Sequence, residues 1–112
     1  MSVKINDIIS VGEIDKIKVF KTWYPSCCLI EFGAGAVYLE QGNAGAHVVF
    51  ELSNLNGAQV EGIEINNKPV ENINSITIKL LGADEYHAMI HGLEFAANIL
   101  KEAENDKGRW AD

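Results

Sequence analysis

His87, His91 and Glu94 are the residues whose types and spacing come closest to a chemical function. On a helix, a step of four and then three projects all three side chains to one side, as two imidazoles and a carboxylate must be to meet one divalent cation. The pattern is HxxxHxxE rather than HExxH. Ala88 follows His87, so the general-base glutamate of the zinc-peptidase arrangement is absent. The same residues, with Asn98 and Lys101, also make the solvated wedge of an amphipathic helix, and that plainer reading is preferred. No metal and no cofactor is therefore expected, and the residue pattern leans against an enzyme. A metal-dependent enzyme using these three side chains is the outermost alternative.

Other groups could carry chemistry only if the fold brought them together. Glu31, Glu40 and Glu51, joined by Tyr38 or His47, would form an acid–base pair if their strands are neighbours. No GxSxG elbow presents a nucleophilic serine. Cys27 and Cys28 are adjacent, so on a strand they point to opposite faces, and they are read as reduced, packed thiols rather than a disulfide. Gly33-Ala34-Gly35-Ala36 and Gly42-Asn43-Ala44-Gly45 follow or precede strand-type residues without opening a helix, so neither reads as a phosphate cradle.

The element that would position the histidines is the one long helical signal, from Gly82 to Asn105. At about 100° per residue, Tyr86, Met89, Ile90, Leu93, Ala96, Ala97 and Leu100 form a stripe suited to packing on a sheet. Asp84 is placed to cap the first turn, with Glu85 inside it, and Asn105 followed by Gly108 supplies a stop. A second apolar set, Ala88, Phe95 and Ile99 with Gly92 beside it, falls on the opposite side. A sheet covers only one stripe of a helix lying on it, so this second set needs a loop, another helix or another subunit.

Everything before the helix reads as strands and turns. Ser2 to Asp15 fits no single period and is read as a short strand or helical turn ending near Gly12. Lys16 to Trp23 alternates in the manner of an exposed or edge strand carrying Lys16, Lys18 and Lys21. Tyr24-Pro25 breaks it. Ser26 to Phe32 and Ala36 to Gln41 are read as a hairpin turning at Gly33-Ala34-Gly35. His47 to Leu52 and Gln59 to Ile65 are further strands, and Asn66-Asn67 suits a two-residue primed turn into a short edge strand containing Pro69. Ser75 to Leu80 is the cleanest half-buried strand, with Ile76, Ile78 and Leu80 to one side. Together these give an α+β domain over residues 1–105, with a polar tail at 106–112. Its largely antiparallel sheet should have about five to seven strands, open or closing partway into a barrel, against one C-terminal helix.

The chain has 112 residues, 47% hydrophobic and 22% charged, the composition of a globular domain able to build a core without disulfides or metals. No apolar run reaches the length of a membrane span, so no membrane association and a cytoplasmic location are expected. The net charge of −7 argues against direct nucleic-acid binding. From Lys21 to Lys68 there is no intervening Lys or Arg, while Glu31, Glu40, Glu51, Glu61 and Glu64 fall in the interval. Those carboxylates either keep the sheet soluble or form an anionic region for a basic protein.

The function expected is therefore a small, non-enzymatic binding or accessory protein acting by surface recognition and self-association, with a homodimer favoured. Its interface would include Ala88, Gly92, Phe95, Ile99 and Trp110. One alternative is a small-ligand-binding or effector-sensing domain whose apolar pocket uses Trp23, Tyr38, Phe50 and Tyr86. Another is an acidic inhibitor of a basic, nucleic-acid-binding partner.

Overall fold

The computed structural model describes residues 10–23, 29–38 and 46–106. Expectations that fall on Tyr24-Pro25, Cys27, Cys28, Glu40, the loop at Gly42 to Gly45 and Trp110 lie outside the described residues. Among these residues seven strands and one α-helix follow in order, with a short 3-10 turn at Leu55–Gly57: β1 Ser10–Ile14, β2 Ile17–Trp23, β3 Glu31–Tyr38, β4 Ala46–Ser53, β5 Ile63–Ile65, β6 Lys68–Val70, β7 Ile76–Leu81 and α1 Ala83–Asn105. The larger sheet is antiparallel throughout, in the order β1-β2-β3-β4-β7, while β5 and β6 form a separate two-stranded sheet. The α+β expectation is met, with an open sheet.

Two hairpins turn where polar residues tolerate left-handed backbone. Asn66 and Asn67, at φ 54 and 63, make the primed turn between β5 and β6 that their types suggest. The β1–β2 turn is equally a two-residue one at Asp15 and Lys16, with φ 51 and 67, rather than near Gly12, which sits inside β1. Lysine is an uncommon choice for positive φ, so the sequence carried little warning of it.

The largest departure from the sequence reading lies at Gly33-Ala34-Gly35. These residues do not turn a hairpin; they run through the middle of the continuous strand β3. The glycines serve close approach instead. Beyond the Phe20↔Ala34 pair, β2 leaves the plane and folds over β3. A Cβ on Gly35 would overlap the Lys18 carbonyl oxygen, and it would lie 3.2 Å from the Val19 Cα. This folding-over carries Ile17 and Val19 onto Val49, with Ile14 and Val37 packed at the margin. Val19 and Val49 are the largest fully buried side chains described, at 0% and 1% exposure.

Register divides the large sheet into two faces. Phe20, Phe32, Ala34, Ala36, Val48, Phe50 and Ile78 share the face on which α1 lies; Lys21, Gly33, Val37, Val49, Glu51 and Lys79 share the inner face covered by the β1–β2 hairpin. The sheet does not close into a barrel. Its edges β1 and β7 are not paired with each other, and the Lys79 Nζ to Asp15 Oδ2 contact of 2.6 Å bridges them at one end.

The helix starts at Gly82, whose φ of 124 favours glycine and whose N–H donates to the Ala46 carbonyl at 2.7 Å. Asp84 is therefore not the cap; it and Glu85 sit in the first turn, where the helix dipole favours acids. At 23 residues, α1 is about 35 Å long. It packs on β4 and β7, whose paired stretch of six residues spans about 20 Å. The helix outruns its support. Ala96, Ala97 and Leu100, expected against the sheet, are exposed for this reason.

Gly92 lies in the exposed middle of α1, and a Cβ there would meet nothing within 4 Å. Gly92→Ala should thus stabilise the fold by about 1 kcal/mol, since alanine restricts the unfolded chain and favours helix. Urea denaturation would read this as a higher midpoint at unchanged slope. An unchanged or lower midpoint would mean that the helix is not standing clear at that turn.

Candidate functional site

The candidate site is the groove between α1 and the sheet face it covers incompletely. Its volume is about 520 Å³. From the sheet come Phe20, Ala34, Ala36 and Phe50; from the helix come Tyr86, Met89, Ile90 and Leu93. Small residues at 34 and 36 leave the floor open in the centre, while the two phenylalanines stand beside it. Lys18 is the charged residue on its rim. Such a lining favours burial of apolar surface, with Lys18 and Tyr86 as its polar handles.

The groove is not filled by the chain's described residues. Phe20, Phe32 and Ile78 on the sheet, and Ile90 and Leu93 on the helix, all retain large exposure. Further along α1, Phe95 is 61% exposed and Leu100 70%. Buried hydrophobic residues are few beside this, namely Ile17, Val19, Ala46, Val48, Val49, Leu55 and Ala83 among the described residues.

The residues expected at a pocket divide. Phe50 and Tyr86 line the groove. Trp23 does not, because it pairs with Glu31 three positions from Phe20 and so falls on the inner face. The backbone of Tyr38 pairs with Ala46, and its side chain lies outside the described residues. Of the interface candidates, Ala88, Gly92 and Phe95 are exposed and Ile99 is half-buried. Phe20, Ala34 and Ala36 were not anticipated as site residues. The missed signal was the alternation Phe32, Ala34, Ala36 against Glu31, Gly33, Gly35, Val37, a strand period hidden by reading the glycines as a turn.

His87, His91 and Glu94 are all exposed on α1. The His87 ring stacks on Tyr86, centroids 5.7 Å apart and planes 11° from parallel. Among the described residues no group of three His, Cys, Asp or Glu side chains is placed to hold a metal ion. His91 and Glu94 instead border a shallow depression with Phe95, Asn98 and Lys101.

The described acidic residues of the Lys-free interval come from two sheets. Glu31 and Glu51 lie on neighbouring strands of the inner face, whereas Glu61 and Glu64 belong to the segment around the small sheet. Glu51 is engaged by Lys21 at 3.5 Å, across Gly33, and receives the Thr77 hydroxyl at 3.5 Å. Ser53 Oγ donates to Glu31 at 3.2 Å. Lys21, Gly33, Glu51 and Thr77 occupy successive positions of one row across four strands. Gly33 leaves the room for this, because a Cβ there would meet Lys21 Cγ at 3.3 Å and Glu51 Oε1 at 3.7 Å.

The Lys21–Glu51 pair is partly shielded, at 25% and 15% side-chain exposure. Lys21→Met should strand a largely covered carboxylate and cost about 1–2 kcal/mol, a value between exposed and fully buried pairs. Glu51→Gln added to Lys21→Met should recover most of the loss. A double-mutant cycle in urea that returned no coupling would show the contact to be idle.

No protein-family model matches the chain, and no curated protein or solved structure matches it either. Among the described residues, no helix is long and apolar enough to cross a membrane.

Proposed function

We propose that this chain is a non-enzymatic binding protein of the cytoplasm that works by surface recognition, and that the first partner of its groove is a second copy of itself. The observation carrying this reading is the pairing of two apolar surfaces that no described residue covers. One is a groove with room on its sheet side; the other is the half of α1 that overshoots the sheet, with Leu100 exposed on the sheet-facing stripe and Phe95 on the side away from it, so that a partner must wrap this half to cover both. Each supplies what the other lacks. A two-fold arrangement lets both copies make the exchange at once, the self-complementary geometry of most homodimers. Apolar anchors would contribute about 1.5–3 kcal/mol each on full burial, and two-fold symmetry counts each of them twice.

Sedimentation velocity over a wide concentration range is the direct test. A concentration-dependent shift from monomer to dimer mass is expected; a monomer at every concentration, tens of micromolar included, would end this reading.

The groove's dimensions also support a second reading, a small apolar ligand or effector held between sheet and helix. At about 520 Å³ it falls within the usual range for such sites. The two separate cleanly. A ligand-binding domain would take up an apolar dye with Phe20→Glu abolishing uptake and Phe95→Glu leaving it intact, because Phe95 does not line the groove.

A further inference from the structure

The inner face carries a second opening, at the end of the sheet where the β1–β2 turn meets β4 and β7. It encloses about 430 Å³. Its floor is the side of the hydrophobic core itself, Ile17, Val37 and Val49. Its rim is built differently. Asp15 and Lys16 come from the turn, His47 from β4 and Lys79 from β7.

The rim's charge is opposite in sign to that of the whole chain. Lys16 and Lys79 against Asp15 leave one positive charge with His47 neutral, in a chain whose net charge is −7. Lys79 holds Asp15 at 2.6 Å, but at 55% and 64% side-chain exposure the pair is solvated and readily shared. The two-residue turn fixes Lys16 at the lip. The register also sets Val37, His47, Val49 and Lys79 on one face, so apolar floor and cationic rim open to the same side. An apolar cavity with a few convergent polar groups is the usual form of a small-molecule site.

We propose that this mouth binds a small amphipathic monoanion, a carboxylate on a short saturated chain. The chain lies on Val37 and Leu80, the half-buried apolar residues of the lining, with Ile17 behind them; the carboxylate accepts from the ammonium groups of Lys16 and Lys79. A tail alone would gain no contact with the rim, and a head alone would compete poorly with water, so recognition requires both. The mouth shares Val48 and Val49 with the groove under α1, but its charged rim of Asp15, Lys16 and Lys79 has no counterpart there, and its binding does not depend on whether the chain self-associates.

Octanoate is the probe, with octan-1-ol and acetate as its tail-only and head-only counterparts, titrated into the full chain by calorimetry and by amide-resolved NMR. Octanoate should bind more tightly than octan-1-ol, acetate should give no saturable signal, and amide shifts should concentrate at Lys16, His47 and Lys79. Lys16→Asn keeps a residue tolerant of positive φ and removes the charge, and it should weaken octanoate by about fivefold. Val37→Phe, which fills the floor, should abolish binding. Should Val37→Phe fail to fold, Lys16→Asn alone decides. No binding of octanoate, equal binding of octan-1-ol, an unchanged affinity in Lys16→Asn, or shifts centred on Tyr86 and Leu93 would each overturn the proposal.

Discussion

Gly35→Ala should destabilise the protein by about 3 kcal/mol or more, the largest effect expected of any single-methyl change in the sheet. The reason is backbone against backbone. The added methyl would collide with the Lys18 carbonyl oxygen, and it would sit 3.0 Å from the Lys18 carbonyl carbon and 3.2 Å from the Val19 Cα. No rotamer change relieves such a clash, so β2 must lift off β3. Lifting it withdraws Ile17 and Val19 from Val49, the main contacts of the inner core. Gly33→Ala is the control on the same strand. There the methyl meets the side chains of Val19 and Lys21 at 3.0 and 3.3 Å, which can yield, so a loss of about 1 kcal/mol is expected. Urea unfolding followed by circular dichroism compares the two directly. Equal midpoints for wild type and Gly35→Ala would mean that β2 does not cross β3 at this point.

That glycine also marks the limit of what the sequence could disclose. Alternation in Ile17–Trp23 and Ile76–Leu81 announces strands because one face of each is more sheltered than the other, whereas Ala46–Ser53, covered on both faces, is legible only as a compact β-type run. The helix announces itself through Tyr86, Met89, Ile90 and Leu93 for the same reason. Glycine carries no side chain to report a face, so Gly33 and Gly35 read equally as a turn or as a crossing point. Their use depends on β2, a partner remote in sequence. Similarly, the helical period predicts which side of α1 wants cover, but not where the sheet beneath it ends. Leu100 has the right phase and no floor. The candidate site was thus visible in part: Phe50 and Tyr86 from composition and phase, Phe20 and Ala34 only once register is known.

Phe95→Glu combined with Leu100→Glu should abolish self-association while leaving the folded monomer nearly as stable as before. Both side chains are already mostly in water, so the substitutions create no cavity and bury no charge in the isolated chain. At an interface the same carboxylates would be desolvated against apolar surface. Buried anchors of this type are worth about 2 kcal/mol or more each, so the pair should weaken each of the two reciprocal contacts by roughly a thousandfold, enough together to leave no dimer at tens of micromolar. Phe20→Glu approaches the contact from the other side, since Phe20 stands in the groove that the projecting half of α1 would fill. A two-fold exchange makes both variants monomeric in isolation. It further requires that mixing them restore no more than one of the two reciprocal contacts, because a mixed pair still joins one intact groove to one intact helix end. Sedimentation should therefore show weak heterodimer in the mixture and monomer in each component. Full-strength dimer in the helix-end variant would place the contact elsewhere, and the apolar side chains beyond the sheet would have no part in it.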